Sequence, residues 1–283
     1  MTKPSAQHAQ SIAIIGGGPA GLMAAEVVSA AGYPVDLYDA MPSVGRKFLL
    51  AGVGGMNITH SEAAAPFLSR YREAAPWVGN WLGTFDAEAL RSWIHGLGID
   101  TFVGSSGRVF PTDMKAAPLL RAWLKRLREQ GVRLHTRHRW LGWDENGALR
   151  FNTPNGEMLK TSTTTLLALG GGSWARLGSD GSWAQLLEAR GVEIRSLRAS
   201  NCGFISQWSP FLSERFAGQP LKQIIASTQS LCGDNISRRG EAILTHDGME
   251  GSLIYALSAA LREQLEARGH AQLSLDLAPD HPR

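Results

Sequence analysis

Residues 11–39 read SIAIIGGGPAGLMAAEVVSAAGYPVDLYD, and this stretch decides the fold of the region around it. It begins with the short apolar run 11–15, which is typical of a fully buried strand in a parallel sheet. An alanine-rich run starts at Pro19 and stops at Gly32, as expected of a helix that ends at a glycine. A second strand is predicted at residues 34–39, which read PVDLYD. The order strand, turn, helix, strand predicts a βαβ unit.

The turn between the first strand and the helix has the spacing Gly-x-Gly-x-x-Gly, formed by Gly16, Gly18 and Gly21. In dinucleotide-binding folds these glycines make a tight turn, admit a pyrophosphate and let the helix pack on the sheet. The helix N-terminus offers free N–H groups to the phosphates. Asp39 lies 23 residues beyond Gly16, near the spacing of an acidic residue that binds a ribose. The alternatives are a glycine-rich turn without a ligand and a solvated acid at a strand end.

Composition restricts the class of protein further. With 43% hydrophobic and 19% charged residues, the 283-residue chain can form a sizeable core and is not a disordered polar chain. The net charge of +3 is too small to indicate nucleic acid as a main partner. No apolar run reaches about 18 residues, so no membrane-spanning helix is predicted. We therefore expect a small-molecule partner, and the sequence does not indicate an oligomeric state.

The number and spacing of the cysteines indicate whether the protein lies in a reducing or an oxidising compartment. Cys202 and Cys232 are 30 residues apart and no Cys-x-x-Cys pair exists, so neither a zinc site nor a redox-active pair is predicted. This usage favours a reducing compartment, and the polar N-terminus is not a signal peptide. The protein is therefore predicted to be cytoplasmic, with both thiols interpreted as small buried side chains.

The remaining sequence predicts an α/β chain with a domain boundary near residue 192. After the βαβ unit, the sequence predicts a glycine-rich loop at about 43–60 and a helical excursion at about 61–130, which ends in an amphipathic helix at 118–130. A strand at 132–136 and an antiparallel meander at 139–168 with Asn-Gly turns follow. The meander ends in an apolar strand at 164–169, and a short helix is predicted at 182–190. From residue 192 the pattern changes to short strands and loops, up to a helix at roughly 252–268.

The glycine-rich loop distinguishes an NAD-binding domain from one that binds a longer cofactor. Residues 45–47 are Gly-Arg-Lys, and residues 52–57 contain three glycines and an asparagine. An NAD-binding domain continues here into an ordinary helix, whereas such a loop can run beside a longer cofactor. A meander and an apolar strand that ends in the glycines 170–172 are further features of flavoprotein folds, because glycine lets the backbone pass close to a ligand. The pattern favours FAD.

Five stretches of the sequence carry a family resemblance. They are GGGPAGLMAA (16–25), GRKFLLAGVGGMNITHSE (45–62), GRVFPTDMKAAPLL (107–120), ALGGGSWARLGSDG (168–181) and GEAILTHDGMEGS (240–252). With them the chain resembles the HI0933-like or BaiN-like family of bacterial NAD(P)/FAD-dependent oxidoreductases. The likeness extends from residue 12 to about 268, and its most specific part is the stretch 45–62.

The resemblance implies a fold and a cofactor. The fold is a three-layer FAD-binding Rossmann-type domain over residues 1–191, followed by an inserted mixed β/α, substrate-side domain over residues 192–283. The cofactor is FAD, with NAD(P)H as transient electron donor and an unidentified organic acceptor; no catalytic side chain is implied. The residues implied to bind FAD are Gly16, Gly18, Pro19, Ala20, Gly21, Asp39, Gly45, Arg46, Lys47, Gly54, Gly55, Asn57, Ala168, Leu169 and Gly170.

The chain also departs from the family pattern. Met56 stands where the family usually carries cysteine, so thiol chemistry is not expected there, and Leu169 stands where threonine is usual. The family's return to the first domain after the insertion is not found in the sequence, so we expect the second domain to be truncated. The alternatives are a flavin-binding or degenerate protein without catalysis, and a flavoprotein of RNA modification, against which the modest charge argues.

Further candidates have both a functional and a structural interpretation. His246 and Asp247 form either an acid–base pair near the flavin or an exposed turn. Arg108 and Lys115 either neutralise an anionic substrate or reduced flavin, or are solvated loop charges. Trp174, which follows the glycine triplet, is the aromatic residue best placed in the sequence to stack on a ligand.

Overall fold

The computed structural model describes residues 11–50 and 55–280, and the chain separates into two compact units, Met1–Arg195 and Ser196–Arg283. The described part of the first unit contains ten strands and seven α-helices. In chain order they are β1 (Ile12–Ile15), α1 (Pro19–Ala30), β2 (Val35–Asp39), α2 (Arg46–Leu50), β3 (Thr59–His60), α3 (Ala64–Ser69), α4 (Ala75–Leu82), α5 (Ala87–Gly96), β4 (Thr101–Val103), β5 (Arg108–Pro111), α6 (Ala116–Glu129), β6 (Arg133–Thr136), β7 (Arg139–Trp143), β8 (Leu149–Thr153), β9 (Gly156–Lys160), β10 (Thr164–Leu167) and α7 (Trp183–Glu188).

Four strands form a parallel sheet in the order β10-β1-β2-β6. Because β1 lies inside the sheet, Ile14 pairs with Leu166 on one side and with Leu37 on the other. The elements β1, α1 and β2 form the predicted βαβ unit. Pro19 occupies the start of α1, where a missing N–H breaks no helical hydrogen bond. The predicted α/β class and Rossmann-type sheet are confirmed.

Helices α1 and α6 cover one face of this sheet. Leu120, Trp123 and Leu127 of α6 are buried in one core with Leu37 of β2. Their spacing of three and four residues places them on one side of the helix, as the amphipathic pattern predicts. The helix begins at Ala116, two residues before its predicted start.

Glu26 of α1 joins this helix to α5 and α6. Its Oε1 accepts hydrogen bonds from Trp93 Nε1 at 3.1 Å and from Arg126 Nη1 at 2.9 Å, and its Oε2 accepts one from Trp123 Nε1 at 2.6 Å. Arg126 also donates to the carbonyl of Gly96. Since Glu26 is only 9% exposed, its carboxylate is stabilised by these hydrogen bonds instead of by water.

The meander of β7, β8 and β9 covers the opposite face of the sheet. Its Trp140 and Phe151 are buried together with Ile15 and Tyr38 of the sheet. The ring of Tyr38 stacks on that of Phe151 with 4.4 Å between centroids. The parallel sheet therefore lies between a helical layer and a meander layer. The apolar strand predicted at 164–169 is β10, which pairs with β1 in the parallel sheet.

Two predicted segments of the first unit differ from the structure. The short helix α2 lies within the predicted glycine-rich loop, where Phe48 packs against Trp123. The predicted helical excursion also contains β4 and β5, which form a small antiparallel sheet in the order β3-β5-β4. Val109 of β5 is fully buried there. Such short elements depend on partners that are distant in sequence, so local pattern does not predict them.

The second unit is a five-stranded antiparallel sheet with a long helix. Its elements are β11 (Phe204–Ile205), α8 (Pro210–Phe216), β12 (Pro220–Gln229), β13 (Asn235–Thr245), β14 (Gly248–Glu250), α9 (Ser252–Arg268) and β15 (Ser274–Asp276). The sheet order is β11-β14-β13-β12-β15. Leu253, Ile254, Leu257 and Leu261 of α9 share one buried core with the sheet, and the helix predicted at about 252–268 is confirmed.

Two predictions for the second unit are wrong. The strands β12 and β13 have 10 and 11 residues instead of being short. A register shift between Leu221 and Ile224 interrupts the alternating pattern of β12 and conceals its length in the sequence. The cysteines are not both buried, because Cys202 is half-buried and Cys232 is exposed in the turn between β12 and β13.

The helices of the described residues share one further property. None of them combines the length and the apolar character that crossing a bilayer requires. The longest, α9, has 17 residues and contains several charged side chains.

Candidate functional site

A cleft of about 500 Å³ opens at the edge of the parallel sheet where β1, β2 and β10 end. Ligands of open α/β sheets bind at this carboxyl edge. The walls come from five described segments, within 15–19, 38–48, 138–140, 168–171 and 177–186. The predicted FAD-binding residues that line it are Gly16, Gly18, Pro19, Asp39, Gly45, Arg46, Lys47, Ala168, Leu169 and Gly170.

The glycine turn at one wall has little room for side chains, with one exception. Gly16 has φ +110, and a Cβ on it would lie 2.1 Å from the carbonyl oxygen of Ala168. A Cβ on Gly21 would lie 1.8 Å from the carbonyl oxygen of Gly16. At Gly18, by contrast, a Cβ would meet no atom within 4 Å. The turn is therefore packed on its protein side and open in front of Gly18.

The helix N-terminus behind this turn is free to bind an anion. No side chain caps α1 at Gly18, so its first N–H groups lack a side-chain acceptor among the described residues. Arg46 and Lys47 line the same cleft. The buried Nε of Arg46 has no hydrogen-bond partner in the described part of the chain, and Lys47 Nζ donates to Ser173 Oγ at 2.6 Å. This set of donors fits a pyrophosphate.

Asp39 at the end of β2 is held from two sides. The Gly17 N–H donates to its Oδ2 and the Met41 N–H donates to its Oδ1, each at 2.7 Å. Burial raises the pKa of Asp39, and the two amide hydrogen bonds and the charge of Arg46 offset only part of that rise. The carboxyl group thus lies in the cleft with both oxygens engaged by the backbone.

Within residues 11–50 and 55–280, no group of three or more His, Cys, Asp or Glu side chains is arranged to hold a metal ion.

Comparison with known proteins assigns the chain to a family. The model of the HI0933-like protein Rossmann domain matches residues 10–260. The chain belongs to the HI0933-like family. The match includes the glycine turn, Asp39, Arg46, Lys47 and the strand β10, so every described segment of the cleft falls within the HI0933-like region.

Two solved structures illustrate the range of similar chains. Thermovibrio ammonificans THI4 is 16% identical with a TM-score of 0.43, and the match covers 65% of this chain and 64% of that chain. The 3-ketosteroid-delta4-(5alpha)-dehydrogenase from Rhodococcus jostii RHA1 is 13% identical with a TM-score of 0.43, covering 59% of this chain and 47% of that chain. The HI0933-like chain therefore spans less than two thirds of the length of either structure.

Sequence reasoning missed the wall of the cleft that follows β6. His138, Arg139 and Trp140 line it, together with Asp180 and Trp183 from the segment before and at the start of α7. The indole N–H groups of both tryptophans are buried without a partner among the described residues. One signal was available, because residues after β6 reach the same edge as those after β1 and β2 in a parallel sheet. The position of α7 had no comparable signal.

The other residues assigned by resemblance are not among the described residues that line this cleft. Gly54 is outside the described residues. Ala20 and Gly21 belong to α1, where Gly21 is buried against the turn and Ala20 is exposed. Gly55 and Asn57 lie beside the small sheet, and Asn57 Nδ2 donates to the carbonyls of Thr59 and Val109 at 2.8 and 3.2 Å. Their predicted contact with a cofactor stays a prediction.

The remaining candidates are exposed. His246 Nδ1 lies 2.9 Å from Asp247 Oδ1 in a turn of the second unit, and about three quarters of each side chain is exposed. Arg108 and Lys115 are exposed, at the start of β5 and just before α6. Trp174 is 54% exposed and has φ +65, a left-handed conformation that is rare for a large side chain. None of these residues lines the described cleft.

Tyr38 lines the cleft, and because of it we expect the HI0933-like chain to lose stability at alkaline pH. Burial raises its pKa to about 12, and the negative charge of Asp36 contributes. Burial acts against the charge of Asp36 too, but hydrogen bonds from Arg133 and His135 outweigh it and hold the Asp36 pKa well below its usual value. The folded state therefore favours the neutral phenol of Tyr38. The resulting contribution to the free energy of unfolding is fully present below the unfolded pKa of about 10, and it is lost as the pH rises towards 12.

We expect the free energy of unfolding to fall by about 2 kcal/mol more in the native protein than in Tyr38→Phe between pH 9 and 12. Urea unfolding at both pH values measures the difference. Tyr33→Phe is the matched control, because Tyr33 is 58% exposed. An equal alkaline loss in the native protein and in Tyr38→Phe would contradict the prediction.

Proposed function

We propose that this chain is an FAD-dependent oxidoreductase in which NAD(P)H reduces the bound flavin and a small organic molecule receives the electrons. One observation carries the proposal: the glycine turn, with an uncapped helix N-terminus behind it, and two cationic side chains line the same cleft. That combination suits the pyrophosphate of a dinucleotide. Membership of the HI0933-like family supports it. The net charge of +3 favours a small acceptor over a nucleic acid.

The residues of the cleft divide the task of binding between them. The first N–H groups of α1 and the charges of Arg46 and Lys47 would hold the pyrophosphate, and the open space at Gly18 lets it approach the backbone. Each carboxylate oxygen of Asp39 accepts one hydrogen bond from a backbone N–H, so its remaining lone pairs are available to ribose hydroxyls.

When bound, FAD supplies two-electron chemistry, accepting a hydride and passing two electrons to an acceptor. The walls of the cleft would bind and orient the cofactor.

The test is the visible spectrum of the purified protein, followed by titration with FAD and with FMN. We expect FAD to bind and FMN to bind about a hundredfold more weakly, because FMN lacks the adenosine half of the dinucleotide. ADP should compete with FAD. Anaerobic addition of NADH or NADPH should then bleach the flavin absorbance.

The outcomes separate the parts of the proposal. A colourless protein that binds neither FAD nor ADP contradicts the cofactor. A yellow protein that neither NADH nor NADPH bleaches contradicts the electron donor and favours a non-catalytic flavin-binding protein. Equal affinity for FMN and FAD contradicts the assignment of the cleft to the adenosine diphosphate half.

A further inference from the structure

Asp39 joins segments of the cleft that are far apart in sequence. Its Oδ2 accepts from the Gly17 N–H and its Oδ1 from the Met41 N–H, both at 2.7 Å. Its own carbonyl accepts from the His138 N–H at 2.9 Å, and the Gly17 carbonyl accepts from the Gly45 N–H at 2.8 Å. The glycine turn, the loop after β2 and the segment after β6 therefore meet at this one residue.

The space around Gly17 has no room for a side chain. A Cβ on Gly17 would lie 2.8 Å from Asp39 Oδ2 and 2.4 Å from Val44 Cγ1. The peptide of Gly17 is thus enclosed between the carboxylate and the valine. Hydrogen bonds to an ionised acceptor are short and roughly twice as strong as neutral ones. Loss of the carboxylate would release the peptide that precedes Gly18.

The charge of Asp39 separates two possible roles. A carboxylate in a cleft that binds phosphates repels them, so its neutralisation alone should strengthen the binding of an anionic ligand. If Asp39 acts only on ribose hydroxyls, its loss should matter only for ligands that carry those hydroxyls. If Asp39 holds the turn, its loss should weaken phosphate binding whether or not the hydroxyls are present.

We propose that Asp39 is a positioning residue whose carboxylate holds Gly17, and with it the turn 16–18, in the conformation that binds a pyrophosphate. This role is additional to any contact with a ribose. It rests on the proposed function in one respect, namely that the ligand of the turn is a dinucleotide. Two of the roughly four acceptor sites of the carboxylate are used for the role.

The test compares the affinity of Asp39→Asn and the native protein for ADP and for 2′,3′-dideoxy-ADP, which lacks both ribose hydroxyls. In the variant one backbone N–H faces an amide NH₂ instead of an acceptor. We expect both ligands to bind at least about tenfold more weakly, and any further loss for ADP alone would measure a ribose contact of Asp39. Asp144→Asn is the matched control: its carboxylate also accepts from two backbone N–H groups, those of Asn146 and Ala148, but Asp144 does not line the cleft. The control should bind both ligands at least as well as the native protein does.

A loss confined to ADP would overturn the proposal, because only the ribose contact would then have been removed. Asp39→Glu is the second variant in case Asp39→Asn does not fold. Its extra methylene moves the carboxylate by about 1.5 Å, so it should weaken the binding of both ligands. If the side chain at position 39 only contacts the ribose, the longer glutamate can still reach the hydroxyls and ADP binding should stay unchanged. That result would also overturn the proposal.

Hydrogen exchange of the ligand-free protein separates this proposal from the proposed function. We expect faster exchange of the Gly17 and Met41 amides in Asp39→Asn, with unchanged exchange in the core of α6. Unchanged protection of both amides overturns the positioning role. If the native protein binds no ADP, the proposed function fails, while the exchange result still decides the role of Asp39.

Discussion

Replacement of Gly21 by alanine is expected to lower the free energy of unfolding of the first unit by about 3 kcal/mol. A Cβ at this position would lie 1.8 Å from the carbonyl oxygen of Gly16 and 3.3 Å from the Cβ of Ala168. Alanine improves helix propensity by about 1 kcal/mol, but a contact that short forces α1 away from the sheet. The steric term therefore dominates, and chemical denaturation with tryptophan fluorescence measures the difference.

Gly18→Ala is the matched variant, three residues away in the same turn. A Cβ there meets no protein atom within 4 Å, and the backbone at φ −79 suits any residue. We expect stability to change by less than about 1 kcal/mol, and ADP binding to weaken about a hundredfold because the methyl group occupies the space of the phosphate. Similar stability losses in both variants, or undiminished ADP binding in Gly18→Ala, would contradict this account of the turn.

Glu26→Ala is expected to have a comparably large effect on stability through a different mechanism. The substitution leaves the indole N–H groups of Trp93 and Trp123 without their acceptor and removes the counter-charge of Arg126. Breaking a buried ion pair from one side typically costs about 3–5 kcal/mol. Since Arg126 keeps partial access to water and its bond to Gly96, we expect about 3 kcal/mol.

Glu129→Ala provides the control on the neighbouring helix α6. Glu129 pairs with Lys125 at 3.8 Å, but 64% and 77% of the two side chains are exposed. An exposed pair of this kind contributes at most about 0.5 kcal/mol, so this variant should unfold at nearly the native urea concentration. A Glu26→Ala protein as stable as Glu129→Ala would show that the contacts between α1, α5 and α6 contribute little to folding.

Much of the parallel sheet region follows from local sequence. The run 11–39 contains its own strand, turn and helix signals, because buried strands and glycine turns impose their pattern over a few residues. The same holds for the amphipathic face of α6, where Leu120, Trp123 and Leu127 recur with helical spacing. The predicted spacing from Gly16 to Asp39 also brings the acid to the glycine turn.

Other elements were not predictable because their stability comes from distant partners. Val109 is buried in a strand inside a stretch with helical neighbours, and its strand pairs with residues about 50 positions earlier in the chain. The bulge between Leu221 and Ile224 conceals the true length of β12. The exposure of Cys232 follows from that hairpin, whose turn contains it.

By itself, the sequence determined the βαβ unit, the glycine turn and the presence of an acid at the next strand end, since each is encoded within a few consecutive residues. Only the tertiary structure decided that β10 joins β1, that Trp140 and Trp183 form a wall of the cleft, and that both oxygens of Asp39 hold backbone amides. The physical reason is that these arrangements depend on strand order and on packing between separate segments of the chain, which no local periodicity records.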